Sequence, residues 1–199
     1  LNNLSLHEMY TRLTKPNEHK LVVGGRANAM KIVNSLSKFS DYEKVRNDLT
    51  DETTLLSAYI KFGCVSIREI YHKMRDKLGK GDGLIRQLYW RDFYANILYE
   101  FPQVLGSSMK PKYDGIKWTK NAKLLRAWKE GKTGFPIVDA GMRELNATGY
   151  MHNRARLITA SFLIKTMLID WQEGEKYFAQ QLSDYDPASN NGNWQWVAS

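Results

Sequence analysis

Apolar residues recur every three to four positions through most of the chain, and no segment alternates apolar with polar over the length of a strand. The pattern predicts helices bounded by caps and breakers. A short amphipathic segment runs from Leu4 to Leu13, and Pro16 with its polar neighbours forms a connector. Gly24-Gly25 opens a helical pattern through Met30, Val33 and Leu36, and Tyr42 to Leu49 makes a further short element. Thr53 to Ser57 precedes a helix over Ala58 to Phe62, which Gly63 ends as a C′ glycine. Ser66-Ile-Arg-Glu69 has the form of a capping box for a helix that stops near Gly79. Gly79 to Gly83 lacks the Gly-Lys-Ser/Thr ending of a phosphate-binding loop and is taken as a connection. A long helix follows from Leu84 to Phe101, closed by Pro102. Another spans Asn121 to Glu130, stopped by Gly131, and a third starts on Pro136 at its first position and ends before Gly149. Beyond Gly149, Leu157, Ala160, Phe162, Ile164 and Leu168 share a broad apolar face. The expected fold is all-α, with nine or so helices and no internal repeat.

Polar groups interrupt two of these faces. Asn153, Arg156 and Ala160 are three and four apart and share one side of their helix. Charge on a buried or cleft-facing surface needs a partner, and Asp184 and Asp186 are the nearest candidates along the chain. Gln87, Trp90, Arg91 and Tyr94 form one aromatic and polar stripe on the Leu84–Phe101 helix. An aromatic stripe is ordinarily core; with polar groups interleaved it also suits a cleft that stacks on bases. The hydroxyls of Thr53, Thr54 and Ser57 at a helix start make either an ordinary N-cap or an anion site.

Composition narrows the class. Lys and Arg number 29 against 21 Asp and Glu, a net charge of +8 that attracts polyanions. Six of those charges fall between Ser107 and Gly134, where eight Lys/Arg face Asp114 and Glu130. That stretch is either a phosphate-facing rim or a solvated helix and loop. The single cysteine, Cys64, rules out an internal disulfide and fits a reducing compartment. No run reaches the roughly 18–20 apolar residues of a membrane span, and the N-terminus has no signal-peptide pattern. A soluble, intracellular monomer is expected, and the start at Leu1 suggests a piece of a longer chain. No metal is expected: His7, His19, His72 and His152 lack zinc-type spacing, and Asp184-Tyr185-Asp186 is a weak metal clamp in an all-α context. No Gly-x-Ser-x-Gly turn supports a Ser/His/Asp triad.

Three strings are more specific: Met151-His-Asn-Arg-Ala-Arg156, Asp184-Tyr-Asp186, and Asn190-Asn-Gly-Asn-Trp-Gln-Trp196. In order and spacing they resemble the FAD-binding domain of the photolyase/cryptochrome family, and within it the class I cyclobutane-pyrimidine-dimer photolyases. The resemblance runs from about Gly24 to Ser199. It implies a helical FAD-binding and lesion-binding domain over residues 21–199 after a connector at 1–20, without the family's N-terminal α/β antenna domain and incomplete at the C-terminus. It implies light-driven electron transfer from reduced FAD to a pyrimidine dimer in UV-damaged DNA, ring splitting, and electron return.

Residue by residue, the resemblance places Tyr42, Thr53, Thr54, Leu55, Leu56, Ser57, Leu84, Arg91, Arg156, Asp184, Tyr185, Asp186 and Asn190 around FAD. Asp186 would accept the ring N3–H, Arg156 would pair with Asp184 beside N5, and Asn190 would lie opposite N5. Trp194, Trp171 and Trp118 fall at electron-relay positions. Arg46, Gln87, Trp90, Tyr94, Asn153, Arg154 and Trp196 fall at positions that meet DNA or the lesion. Gln87 departs from the Glu usual in cyclobutane photolyases and occurs in the (6-4) branch. The rival readings are a cryptochrome-type light receptor or a (6-4) photolyase on the same fold and, from another class, a non-catalytic basic helical DNA-binding module.

Overall fold

Helix ends fall where cap and breaker chemistry puts them. The structure, a computed structural model, describes residues 4–51 and 53–199, so the first three residues of the expected connector lie outside it. Eleven α-helices and no strand occur among the described residues: α1 (Leu6–Leu13), α2 (Arg26–Asn34), α3 (Tyr42–Val45), α4 (Leu56–Lys61), α5 (Ile67–Leu78), α6 (Gly83–Glu100), α7 (Ala122–Lys129), α8 (Pro136–Thr148), α9 (Asn153–Ser161), α10 (Trp171–Gln181) and α11 (Pro187–Ala198). The all-α expectation holds, with two more helices than the nine or so foreseen. No described helix is long and apolar enough to cross a membrane.

The predicted stops are in place. Asn121 caps α7 through Leu124 N–H, Pro136 opens α8, and Gly149 ends it in the left-handed region at φ 70°. Asp82 caps α6 by accepting from Leu84 N–H.

Three local expectations fail. Neither half of the α5 capping box forms: Ser66 makes no side-chain cap, and Glu69 is drawn away into a two-pronged pair with Arg26 at 2.9 and 3.0 Å. The capping box forms instead at Ser5 and Glu8. At α4 no hydroxyl caps the helix; the N-cap is Leu55, held at φ 51°, and the nearest hydroxyl contact is Thr54 Oγ1 to Leu56 N at 3.4 Å. The helix from Asn153 does not carry its period to Leu168. It widens into a π turn over Phe162–Thr166, so Leu163 and Ile164 stay buried while Leu168 is left 53% exposed at φ 53°.

Two cores result. The first joins α2, α4, α5 and the start of α6 around Val33, Leu36, Ile70 and Ile85. The second joins α7 to α11 around Trp128, Met142, Leu163, Phe178 and Trp194. Helix α6 belongs to both: Leu84, Ile85 and Leu88 pack in the first core, and further along Tyr94 lies flat on Gly192 of α11, where any Cβ would overlap its ring. That close approach fixes the distance between the two halves along one edge.

Candidate functional site

Between the cores lies a cavity of about 840 Å³, within the range of a small-molecule or cofactor site. Its polar end is built from the first turn of α9 and the turn before α11. His152 caps α9 with its ring, Nδ1 accepting from Arg154 N–H at 3.1 Å. The cap leaves Asn153, Arg156 and Ala160 on the cavity side, as their spacing predicts, and Arg154 lines the cavity as well.

Arg156 is held from three directions. Its Nε donates to Met151 O at 2.8 Å, its Nη2 reaches both oxygens of Asp184 at 2.9 and 3.1 Å, and its guanidinium lies over the Tyr150 ring at 5.2 Å. The Asp184 side chain is only 5% exposed and also accepts from Ser57 Oγ at 2.7 Å. Tyr150 OH lies 3.0 Å from Thr53 Oγ1. These last two contacts cross the cavity floor, from the α4 turn of the first core to the second core. Burial raises the Tyr150 phenol above its ordinary pKa, against the opposing pull of the Thr53 hydrogen bond and the Arg156 charge. Tyr150 was not singled out from the sequence; its place immediately before Met151-His152-Asn153 was the available signal.

Asp186 caps α11 by accepting from Ser189 N–H through one oxygen at 2.9 Å, and its second oxygen has no protein donor among the described residues. Asn190 donates to Glu175 through Nδ2, at 3.0 Å to the carboxylate and 3.3 Å to the backbone carbonyl. Its Oδ1 likewise has no protein donor among the described residues. Tyr185 lines the same wall, its phenol pKa raised by burial and by Glu175. Glu175 is the second residue that sequence reading missed.

The first-core wall carries Tyr42, Thr53, Thr54, Leu56, Ser57 and Leu84. Leu55 points its backbone into the turn and is not part of the wall. At the mouth, α6 presents Gln87, Trp90, Arg91 and Tyr94, and α11 presents Trp196. Trp90 and Trp196 are 54% and 64% exposed, values for surface-facing rings rather than core. Gln87 donates one Nε2–H to Gly83 O at 3.1 Å, which leaves its second N–H and its Oε1 free. Arg91 pairs loosely with Asp92 at 3.4 Å.

The structure separates some predicted residues from the cavity. Arg46 sits on the outer rim in contact with Glu43. Trp194 reaches the cavity, and its ring neighbours are Phe178 at 5.0 Å and Trp128 at 6.2 Å. Trp171, buried at the start of α10, and Trp118, packed on the second core, meet instead at a separate small crevice below α11. Of the eight basic residues between Ser107 and Gly134, Lys110 lines the cavity, while Arg126 and Lys132 share Glu130 on the surface.

An all-helical scaffold holding one large cavity, apolar along its walls and ending in paired carboxylate, guanidinium and amide groups, defines a binding domain for a large, partly polar cofactor. The chain belongs to the DNA photolyase family: its residues 84–199 match the family's FAD-binding domain. It is 44% identical over 182 residues to the deoxyribodipyrimidine photo-lyase of Streptomyces griseus, covering 89% of this chain and 40% of that protein. Among solved structures it superposes on the archaeal photolyase of Sulfolobus tokodaii, solved with two FAD molecules, with TM-score 0.88 and 41% identity over 98% of this chain and 44% of that one. It also superposes on the cryptochrome of Synechocystis, with TM-score 0.83 and 32% identity over 92% of this chain and 41% of that one. The chain thus spans less than half the length of each of these relatives.

Proposed function

We propose that residues 21–199 form the cofactor- and lesion-binding domain of a light-driven DNA repair enzyme that splits cyclobutane pyrimidine dimers, with residues 1–20 as connector. The observation that carries this reading is the Arg156–Asp184 pair on the floor of a cavity whose mouth is flanked by two exposed indoles, Trp90 and Trp196. The donor set fits FAD. The unpartnered oxygens of Asp186 and Asn190 suit the N–H edge of a flavin ring, Arg156 suits its carbonyl edge, and the Thr53–Ser57 turn offers hydroxyls for the dinucleotide's polar tail.

FAD in its reduced form supplies a light-excitable electron donor. The chain's own part is electrostatic and geometric. Arg156 keeps a fixed positive charge at the polar end, where it stabilises negative charge on whatever ring lies there. Asp184 holds that guanidinium in place and is itself held by Ser57. Trp90 and Trp196 offer flat faces for an extruded pair of linked pyrimidines, since a stacked dimer must leave the helix to enter a cavity. Asn153 and Arg154 lie at the rim for polar contact with the lesion and its phosphates. This reading places the protein with DNA, inside the cell, as a monomer.

The test uses the full-length protein. It should purify with a flavin absorption spectrum and remove thymine dimers from irradiated oligonucleotides in light but not in darkness. Flavin without light-dependent dimer loss sinks repair of this lesion. One residue favours a second reading: Gln87 keeps a hydrogen-bond donor and an acceptor but, as an amide, gives up no proton to a lesion, which suits (6-4) repair or light reception. Activity on (6-4) photoproducts in the same assay would select it.

A further inference from the structure

At the edge of the cavity beside Tyr42, three arginines from three separate elements converge, and of these Arg154 also lines the cavity. Arg46 follows α3, Arg86 lies in the first turn of α6, and Arg154 lies in the first turn of α9. Arg46 and Arg86 share one carboxylate, Glu43, and Arg154 is held by Asn47, the residue after Arg46, so the three share one small region. Arg154 is aimed by Asn47, which accepts from its Nε at 2.7 Å. A single carboxylate serves the other two: Glu43 contacts Arg86 through one oxygen and Arg46 through the other, the latter at 3.3 Å. Glu43 also lies against Gly83, where a Cβ would overlap its carboxylate. The cluster therefore carries three cations and one anion. All three side chains of the Glu43 cluster are partly open to solvent, at 45% for Glu43, 57% for Arg86 and 32% for Arg46.

We propose that Glu43 is a placeholder anion: it occupies the seat of a nucleic-acid backbone phosphate in the free protein and swings away when the phosphate binds to Arg46, Arg86 and Arg154. The chemistry favours the exchange. A carboxylate and a phosphodiester both accept from guanidinium forks, and the phosphodiester offers its oxygens without an intramolecular tether. Arg86 and Glu43 are exposed and Arg46 is partly so, so breaking the pairs costs little. Arg154 lines the cavity and Arg86 lies one turn before Trp90 on α6, so a strand whose linked pyrimidines enter between Trp90 and Trp196 passes over the seat. Arg86 becomes a phosphate contact that sequence reading did not assign. The inference rests on the DNA-binding reading above and adds a competitor to it.

The experiment measures affinity of the full-length protein for a short undamaged duplex and for the same duplex with one thymine dimer, across a range of NaCl. Arg86→Ala should lower the slope of log K against log salt by about 0.9, the loss of one phosphate contact. Glu43→Gln should tighten binding to both duplexes roughly two- to fivefold. In the double variant the effect of Glu43→Gln should shrink without vanishing, because the competitor then acts through Arg46 alone. Glu43→Gln leaving binding unchanged or weaker, or an unaltered slope in Arg86→Ala, overturns the proposal. So does loss of FAD from Arg86→Ala with an unaltered slope, which would assign the phosphate seat to the cofactor. Failure of the wild type to prefer the damaged duplex counts instead against the lesion-binding function, and the slope on undamaged DNA still decides the placeholder.

Discussion

Nη2 of Arg156 lies 2.9 Å from Oδ2 of Asp184, and the carboxylate is nearly sealed from solvent while the guanidinium is one-quarter exposed. Removing the carboxylate's charge therefore strands a half-buried cation. Asp184→Asn should cost on the order of 2–4 kcal/mol of folding stability and should release flavin from the purified protein. Thermal unfolding and the flavin absorbance retained after gel filtration check both effects. A variant as stable and as yellow as the wild type would contradict the role given to the pair.

His152 links stability to pH. Burial, reinforced by the nearby charges of Arg154 and Arg156, lowers its imidazole below the ordinary value of 6.5. Below that value the unfolded chain binds a proton that the folded chain still refuses, so stability falls as the solution is acidified and is full above it. Protonation also removes the Nδ1 acceptor that caps α9. Denaturant titrations between pH 5 and pH 8 should show this loss. His152→Asn, which keeps a capping acceptor, should flatten the dependence, whereas His152→Ala should cost about 1 kcal/mol at neutral pH and less as the solution is acidified.

Trp90 and Trp196 are too exposed to hold the fold together. Trp90→Ala should leave the melting temperature nearly unchanged yet weaken binding to dimer-containing DNA roughly 5- to 100-fold, the scale of one lost stacking platform. Affinity for undamaged duplex should change little. Equal losses on both duplexes would show that the indole does not meet the lesion.

Gly192→Ala tests the approach of α6 to α11. The added methyl meets the Tyr94 ring, and the strain should cost about 1–3 kcal/mol, partly offset by the better helix propensity of alanine. The urea midpoint should fall with an unchanged slope. An increase in stability would mean that Tyr94 moves aside freely.

The boundaries readable from sequence are those set by neighbours in the chain. Pro136, Gly149, Gly63 and Pro102 ended or began helices where expected because their constraints are local. The failures came from partners far away. Glu69 left its capping position for Arg26, which lies 43 residues upstream. The π turn after α9 keeps Leu163 and Ile164 buried by changing the helical repeat itself, which a fixed period cannot anticipate. At the site, the spacing of Asn153, Arg156 and Ala160 placed all three on the cavity wall. Nothing in spacing could show that Thr53 meets Tyr150, or that Glu175 fixes Asn190, since both contacts depend on how the elements pack. Likewise, the Trp118 and Trp171 rings sit at a crevice of their own, a placement that only the packing of α10 and α11 decides.

Helix α6 runs unbroken from one core into the other and is pressed against α11 at Gly192, so the two halves cannot part along that side. The opposite side is joined at the floor by Thr53–Tyr150 and Ser57–Asp184, two contacts through hydroxyl groups that exchange readily with water. The molecule is therefore bound like a book, with α6 as spine and those hydroxyls as clasp. Any parting of the covers would break the clasp first and leave the spine where it was.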